Sequence, residues 1–213
     1  MVAACATASD ALPRLGTHPR RGTHLSTGHV TALELIAAGL GLINLVLIAR
    51  RTIWNYPFGI AMVCLYFVVF WQARLYSAAG LQVFFLGSQL YGWWYWRQVT
   101  DGSAPVPVRR LDRRGRIIAA AAGTIITLGL GLTMSRLTDA AAPWFDAGNA
   151  AWSMVAQILT DRRHVESWPL WIAINILSIW LYASQGLLAT ACLYAVFLCI
   201  AAWGWDNWRR AAA

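Results

Sequence analysis

The chain alternates between apolar blocks and short junctions that carry arginine, along nearly its whole length. The blocks are about 20 residues long, which is the length an α-helix needs to cross a bilayer core of about 30 Å. Of its 213 residues, 59% are hydrophobic and 12% are charged, whereas a soluble domain carries roughly twice that share of charge. The pattern predicts an all-α integral membrane protein.

Seven of the blocks are predicted to be transmembrane helices. They cover residues 30–49, 54–73, 81–96, 117–135, 145–160, 168–183 and 187–208. Arg74 and Gly80 bracket the turn between the second and third spans. Residues 1–28 lack the apolar segment of a signal peptide, and we expect them to form a disordered tail.

Arginine marks the junctions between the spans. All 17 basic residues are arginine, and they lie between apolar blocks instead of forming one basic face, which argues against nucleic-acid binding. The junctions after the first, third and fifth spans, together with the C-terminus, hold 12 arginines, and the other side holds 5. Because arginine-rich loops stay in the cytoplasm, we expect a protein of the inner (plasma) membrane with its N-terminus outside and its C-terminus inside.

The sequence repeats itself with an offset of 112 residues. Between residues 50–97 and 162–209, 15 of 48 positions are identical, including Arg, Pro, Gly and Trp in one register. This predicts a first three-helix repeat at 29–98, a loop and linker helix at 99–140, and a second three-helix repeat at 141–213. Because three helices are an odd number, the linker helix restores the direction and gives a parallel 3+1+3 plan. Such parallel repeats are a known transporter design.

Polar side chains recur at helical spacing inside several spans, where they usually face the interior of a bundle. The stripes of the fifth and sixth spans are Asp146, Asn149, Ser153 and Gln157, and Trp171, Asn175, Ser178 and Tyr182. The third and second spans add Gln82, Phe85 and Gln89, and Trp54, Asn55 and Tyr66. Aromatic faces stack on rings and attract cations, and amides bind hydroxyls. The set suits a flat, unphosphorylated ligand with hydroxyls; the alternative is hydrogen bonding between helices.

Other patterns indicate packing. Small residues recur at every fourth position of the fourth span, at Ala119, Gly123, Thr127 and Gly131. They permit close helix approach, either within the monomer or in an oligomer contact. The four cysteines lack C-x-x-C spacing and are expected to be small packing residues.

We find no catalytic motif and no metal or cofactor motif, so we predict no enzymatic activity, no metal and no cofactor.

Several segments resemble the PnuC-type vitamin transporters. They are WNYPFGI at 54–60, LQVFF at 81–85, YGWWYW at 91–96, ESWPLWIAIN at 166–175 and LY at 181–182. The resemblance extends over about residues 30–210 and keeps the order of the motifs. It implies a 3+1+3 fold like that of the SWEET sugar carriers, assembled as a homotrimer.

The resemblance also implies facilitated diffusion (uniport) of an unphosphorylated vitamin, most often nicotinamide riboside, with phosphorylation by a cytoplasmic kinase trapping it inside. Sister branches of the family carry thiamine or riboflavin, and both stay open as alternatives. A membrane sensor or scaffold without transport is the alternative class of function.

The motifs that carry the resemblance contain Gln82, Trp168, Trp171 and Asn175. We expect the two tryptophans to stack on the pyridinium ring, and Gln82, Gln89 and Asn175 to bind ribose hydroxyls. The full predicted substrate site is Trp54, Asn55, Tyr66, Gln82, Gln89, Trp168, Trp171, Asn175 and Tyr182.

Overall fold

The computed structural model describes residues 27–72, 76–100, 104–137, 143–184 and 188–212. Seven α-helices account for most of these residues. They are α1 Thr27–Ala49, α2 Asn55–Gln72, α3 Tyr76–Arg97, α4 Arg113–Leu137, α5 Pro143–Asp161, α6 Ser167–Ser184 and α7 Leu188–Ala211. The seven predicted helices are therefore present. The expected N-terminal tail lies outside the described residues up to residue 26, and α1 begins within its last two positions.

All the helices except α2 are longer than predicted, and α3, α4 and α7 show local reasons for it. The segment before Gly80 was expected to be a turn, but α3 already begins at Tyr76, since a single glycine is tolerated in a helix. Arg113, Arg114 and Arg116 belong to α4, whose start is capped by Asp112: its Oδ1 accepts from the Gly115 N–H at 2.8 Å. In α7, Asp206 pairs with the arginines three and four positions later, and such pairs support a last helical turn.

Two of the described helices are long and apolar enough by themselves to cross a membrane. They are Asn55–Gln72, with a mean hydropathy of 1.3, and Arg113–Arg136, with 2.0. Shorter apolar stretches run over Leu35–Ala49 and Ser167–Leu181.

The turns after α1 and α5 have the same hydrogen bonds. The N–H groups of Arg51 and Thr52 donate back to the last turn of α1 at 2.8 and 3.1 Å. At the equivalent positions, the N–H groups of Arg163 and His164 donate back to α5 at 2.9 and 2.8 Å. Arg51 and Arg163 have φ angles of 58° and 66°, the left-handed conformation that closes this kind of helix end. The sequence repeat is thus also a repeat of backbone geometry.

Contacts between the two halves come in equivalent pairs. α1 packs on α7, and α3 packs on α5. The indole Nε1 of Trp208 donates to the carbonyl of Ile48 in α1 at 3.1 Å, and that of Trp96 donates to the carbonyl of Asp161 in α5 at 2.8 Å. Carbonyls in the last turn of a helix have no partner within the helix, so they are free to accept from outside it, and each half donates to such a carbonyl of the other half.

The segment between α3 and α4 is bonded to both of the repeated turns. The Val106 N–H donates to the Arg51 carbonyl at 2.9 Å, and the Arg109 N–H donates to the Arg163 carbonyl at 2.8 Å. The guanidinium of Arg163, which is buried, also donates to the Pro107 carbonyl at 3.0 Å. We call this side of the molecule the arginine end; α1, α3, α5 and α7 finish there.

The small residues of α4 pack within the monomer. A Cβ added to Gly123 would lie 3.0 Å from the Trp152 ring, and one added to Gly131 would lie 2.4 Å from the Trp144 ring. Both rings belong to α5, so the stripe lets α4 approach α5 closely. Of the two alternatives for this stripe, the structure has the intramolecular one.

The cysteines that the structure describes do not pack in the core as expected. Cys64, Cys192 and Cys199 are free and lie on the outer surface of the bundle. Their helices bury a different face, and a small, weakly polar thiol is tolerated on a surface that lipid covers.

Gly131→Ala is expected to destabilise the bundle, because its methyl group would overlap the Trp144 ring. Overpacking of this kind costs roughly 1–3 kcal/mol, so the melting temperature of the purified protein in detergent should fall. Gly129→Ala is the matched control, since nothing lies within 4 Å of its added Cβ. Equal melting temperatures for the two variants would contradict the packing.

Candidate functional site

A cavity lies where α1 of the first half meets α5, α6 and α7 of the second. Its lining residues are Asn44, Leu45, Ile48, Gln157, Thr160, Trp168, Trp171, Asn175, Phe197 and Ala201. The lining combines aromatic rings, amides and a hydroxyl, and it carries no charged side chain. Its volume is about 40 Å³, which is room for a few water molecules. A vitamin-sized ligand therefore requires the helices to move apart.

One face of α6 supplies three of the lining side chains. Trp168, Trp171 and Asn175 are spaced by three and four residues, so they are neighbours along a helix. Pro169 lies in the first turn of α6, where its missing N–H does little harm. The Trp171 Nε1 donates to the Thr160 Oγ1 at 3.2 Å, and this bond fixes the indole against α5.

The indole of Trp168 is held from two sides by α7. A Cβ added to Gly204 would lie 2.4 Å from the ring, so only glycine permits the approach. Trp208 meets the same ring edge-to-face, with ring centroids 5.5 Å apart. The ring is therefore fixed in place, as a surface for stacking a ligand should be.

Two buried polar atoms of this lining have no hydrogen-bond partner in the part of the chain that the structure describes. They are the Oδ1 of Asn175 and the Nε1 of Trp168, on residues that are 4% and 1% exposed. Leaving such an atom unpaired costs about 1–3 kcal/mol. The cavity thus offers one acceptor and one donor that a ligand can satisfy.

The α1 side of the cavity is positioned by α2. The Nδ2 of Asn44 donates to the backbone carbonyl of Asn55 at 2.7 Å. The side chain of Asn55, which was predicted to bind substrate, donates to the Thr52 carbonyl at 2.7 Å. Asn55 therefore does not line the cavity itself, but it contacts Asn44, which does.

The sequence patterns missed Asp161, the last residue of α5. Its side chain is 1% exposed. The Nε2 of Gln157, which lines the cavity, donates to its Oδ1 at 3.0 Å, and the hydroxyl of Ser88 in α3 donates to its Oδ2. The i, i+4 spacing from Gln157 extends the predicted polar stripe of α5 by one turn. That spacing was the available signal, but the arginines at 162 and 163 made the position look like a solvated junction.

In the part of the first half that the structure describes, a side chain fills the space equivalent to this cavity. The 112-residue offset places Gly59 at the position of Trp171 and Gln89 at the position of Ala201. A Cβ added to Gly59 would lie 2.5 Å from the Nε2 of Gln89. Gln89 is therefore packed inside the first half and does not line the cavity.

The remaining predicted residues lie away from this cavity. Gln82 and Tyr66 are buried in the first half, where Tyr66 stacks on Phe70. Trp54 precedes α2 at the arginine end and is 63% exposed, so the structure does not bring it to the other residues. The side chain of Tyr182 lies outside the described residues.

A second, larger groove of about 420 Å³ opens on the outer surface between α5 and α6. Its lining includes Trp144, Trp152, Leu177 and Asn149. Asn149 therefore leaves the predicted polar stripe and faces this groove, which is otherwise apolar. Two members of the predicted stripe therefore line different spaces: Gln157 lines the cavity, and Asn149 lines the outer groove.

Equivalent three-helix halves that enclose a neutral cavity lined by aromatic and amide groups are the architecture of a small-molecule transporter. Known proteins of this kind are similar to the chain over most of its length.

Residues 31–210 match the family described as nicotinamide mononucleotide transporter. The chain is 30% identical over 205 residues to the nicotinamide riboside transporter PnuC of Escherichia coli (strain K12), covering 84% of this chain and 86% of that protein. It is 28% identical over 184 residues to the riboflavin/roseoflavin transporter RibM of Streptomyces davaonensis, with 84% and 85% covered. A crystal structure of the vitamin B3 transporter PnuC has a TM-score of 0.70 at 28% identity, covering 85% of this chain and 82% of that one.

The chain therefore belongs to the nicotinamide mononucleotide transporter family. It is a multi-pass transporter of the inner membrane, as the resemblance to PnuC-type proteins implied.

Gly204→Ala is expected to push the Trp168 ring out of place, because the added methyl group would overlap it. Overpacking of this kind costs roughly 1–3 kcal/mol, so the melting temperature of the purified protein in detergent should fall. Gly87→Ala in α3 is the control, since nothing lies within 4 Å of its added Cβ. Equal melting temperatures for Gly204→Ala and the control would show that the Trp168 ring is not held in place by Gly204.

Proposed function

We propose that this protein carries nicotinamide riboside into the cell by facilitated diffusion (uniport). The observation that supports this is the face of α6 with Trp168, Trp171 and Asn175, which joins two indoles to an unpaired amide oxygen at the cavity. The indoles would stack on the pyridinium ring, because aromatic faces attract a cationic ring. The amide of Asn175 would accept a hydrogen bond from a ribose hydroxyl.

The uncharged lining favours the riboside over the mononucleotide. A phosphate group is usually bound by arginine, lysine or helix N-termini, and none of the residues that line the cavity is basic. The nearby Arg163 is already bound to the Pro107 carbonyl and lies over the Tyr95 ring, 5.0 Å from its centroid. A phosphate in this cavity would lose its water without gaining a partner.

Transport would proceed by rocking of the two halves around the cavity. The repeated turns and the equivalent α1–α7 and α3–α5 contacts support a parallel 3+1+3 arrangement, like that of the SWEET carriers, with an axis along the membrane normal. The distribution of arginine supports an outside N-terminus and a cytoplasmic arginine end. A cytoplasmic kinase that phosphorylates the riboside would drive net uptake, and a homotrimer is the expected assembly.

Thiamine and riboflavin are the alternative substrates, and both have aromatic rings that tryptophan can stack on. The similarity to RibM, the riboflavin/roseoflavin transporter, favours riboflavin as the second candidate. A sensor or scaffold without transport is the remaining class. These alternatives differ in what crosses the membrane, so direct measurement of binding and uptake separates them.

Proteoliposomes that contain the purified protein should equilibrate radiolabelled nicotinamide riboside without any ion gradient. Enclosing ribosylnicotinamide kinase and ATP should turn equilibration into accumulation, because the phosphorylated product no longer fits the cavity. A requirement for an ion gradient would contradict uniport. Saturable binding without uptake would support the sensor or scaffold.

Asn175→Ala is expected to weaken the binding of nicotinamide riboside about tenfold or more, because it removes a buried hydrogen-bond partner worth ~1–2 kcal/mol. Titration calorimetry on the purified protein measures this. Asn149→Ala removes the same amide from the outer groove and should bind as the unmodified protein does. If both variants bind normally, the site lies elsewhere in the bundle.

A further inference from the structure

Asp161 is a buried acid that forms no ion pair with the residues that the structure describes. Among the acids whose side chains the structure describes, it alone is buried, at 1% exposure. The ion pairs of the described residues join Arg116 to Glu166, and two arginines of α7 to Asp206. The groups that donate to Asp161, the amide of Gln157 and the hydroxyl of Ser88, are both neutral.

A buried carboxylate that has only neutral donors is costly to ionise, and a nearby cation offsets that cost. The backbone of Asp161 also keeps the carboxyl group in place. Its carbonyl accepts from the Trp96 Nε1 at 2.8 Å, which fixes the residue at the interface between α3 and α5. The charge cannot turn out toward water without breaking this interface.

Gln157 connects the cavity to the carboxyl group of Asp161. Gln157 lines the cavity and donates to the Oδ1 of Asp161, and Thr160, the residue before Asp161, also lines it. No charged group of the lining stands between them. A positive charge bound in the cavity would therefore interact with Asp161 through a medium of low polarity, where charge–charge attraction is much stronger than in water.

We propose that Asp161 makes this site selective for organic cations over neutral molecules of the same shape. The inference rests on the proposed function and names the substrate class within it: a heteroaromatic vitamin whose ring carries a positive charge. Tryptophan stacking alone is a poor basis for this choice, because neutral rings also stack on an indole. Selection by charge favours nicotinamide riboside and thiamine, whose rings are cationic, and disfavours riboflavin, which is neutral.

Nicotinamide riboside and its reduced dihydro form are a matched pair of ligands for the test. They share the amide and the ribose, but the dihydropyridine ring of the reduced form is uncharged. We expect titration of the full-length protein to give an affinity for the cationic form at least about tenfold higher, the equivalent of ~1.4 kcal/mol. Asp161→Asn, which has the same shape and still accepts from Gln157, should bring the two affinities within about twofold of each other.

Asp206→Asn is the control, because it removes an equal charge from a half-exposed position that is already paired with arginine. The ratio of affinities should not change in this variant. A change in melting temperature without a change in the ratio would mean that Asp161 is only structural, which overturns the proposal. A ratio near one in the unmodified protein overturns it without any variant.

The outcome also separates this inference from the proposed function. If neither form of nicotinamide riboside binds, the proposed substrate is wrong, and the same comparison is made with thiamine and its uncharged 3-deaza analogue. A cation preference there that Asp161→Asn abolishes supports the role of Asp161 with a different vitamin. Preferred binding of riboflavin overturns both.

Discussion

The third helix of each half carries, near its end, a tryptophan that is hydrogen-bonded to the last turn of the first helix of the other half. Trp208 donates to the Ile48 carbonyl and Trp96 donates to the Asp161 carbonyl. The Ile48 carbonyl also accepts from the Arg51 N–H of the turn that follows α1, so Trp208 adds a bond between the halves to one that already closes the helix end. The two indole bonds make the interface between the halves part of both helix ends. The same turns receive the N–H groups of the segment between α3 and α4, so the linker is anchored to the two positions that the tryptophans hold.

The described parts of the two halves differ around the cavity of about 40 Å³ because two pairs of equivalent residues differ in size. In the second half, Trp171 is large and Ala201 is small, and space remains between α6 and α7. In the first half, the equivalent residues are Gly59 and Gln89, and the amide of Gln89 lies against Gly59. The first half becomes a packed support, and the second half becomes a wall against which a ring can stack.

The sequence predicted the parts of this structure that depend on local patterns. Seven helices follow from apolar blocks, and the aligned set of Trp168, Trp171 and Asn175 follows from helical spacing within a recognisable motif. Gln89 does not line the cavity, and the local pattern could not show this, because the space at its helical face is filled or open depending on Gly59, 30 positions earlier. Trp54 lies just before its helix, where periodicity no longer fixes the direction of a side chain. Asp161 was missed because its burial comes from α3 of the other half, and its sequence neighbours are two arginines that belong to a junction.

The binding surface and the joint between the halves form one chain of contacts. Trp168 lies at the cavity and packs edge-to-face on Trp208, and Trp208 is the residue that holds the end of α1. On the opposite side, Gln157 lies at the cavity and donates to Asp161, whose carbonyl is held by Trp96. A cavity of about 40 Å³ is too small for a vitamin, so its lining has to separate before a vitamin can enter. In the proposed carrier, that separation reaches the two indole bonds between the halves through Trp168 and Gln157, and the proposed rocking motion would change the same bonds. Recognition of the proposed substrate and the resistance of the two halves to movement would then depend on the same contacts, which links occupancy to a change of access.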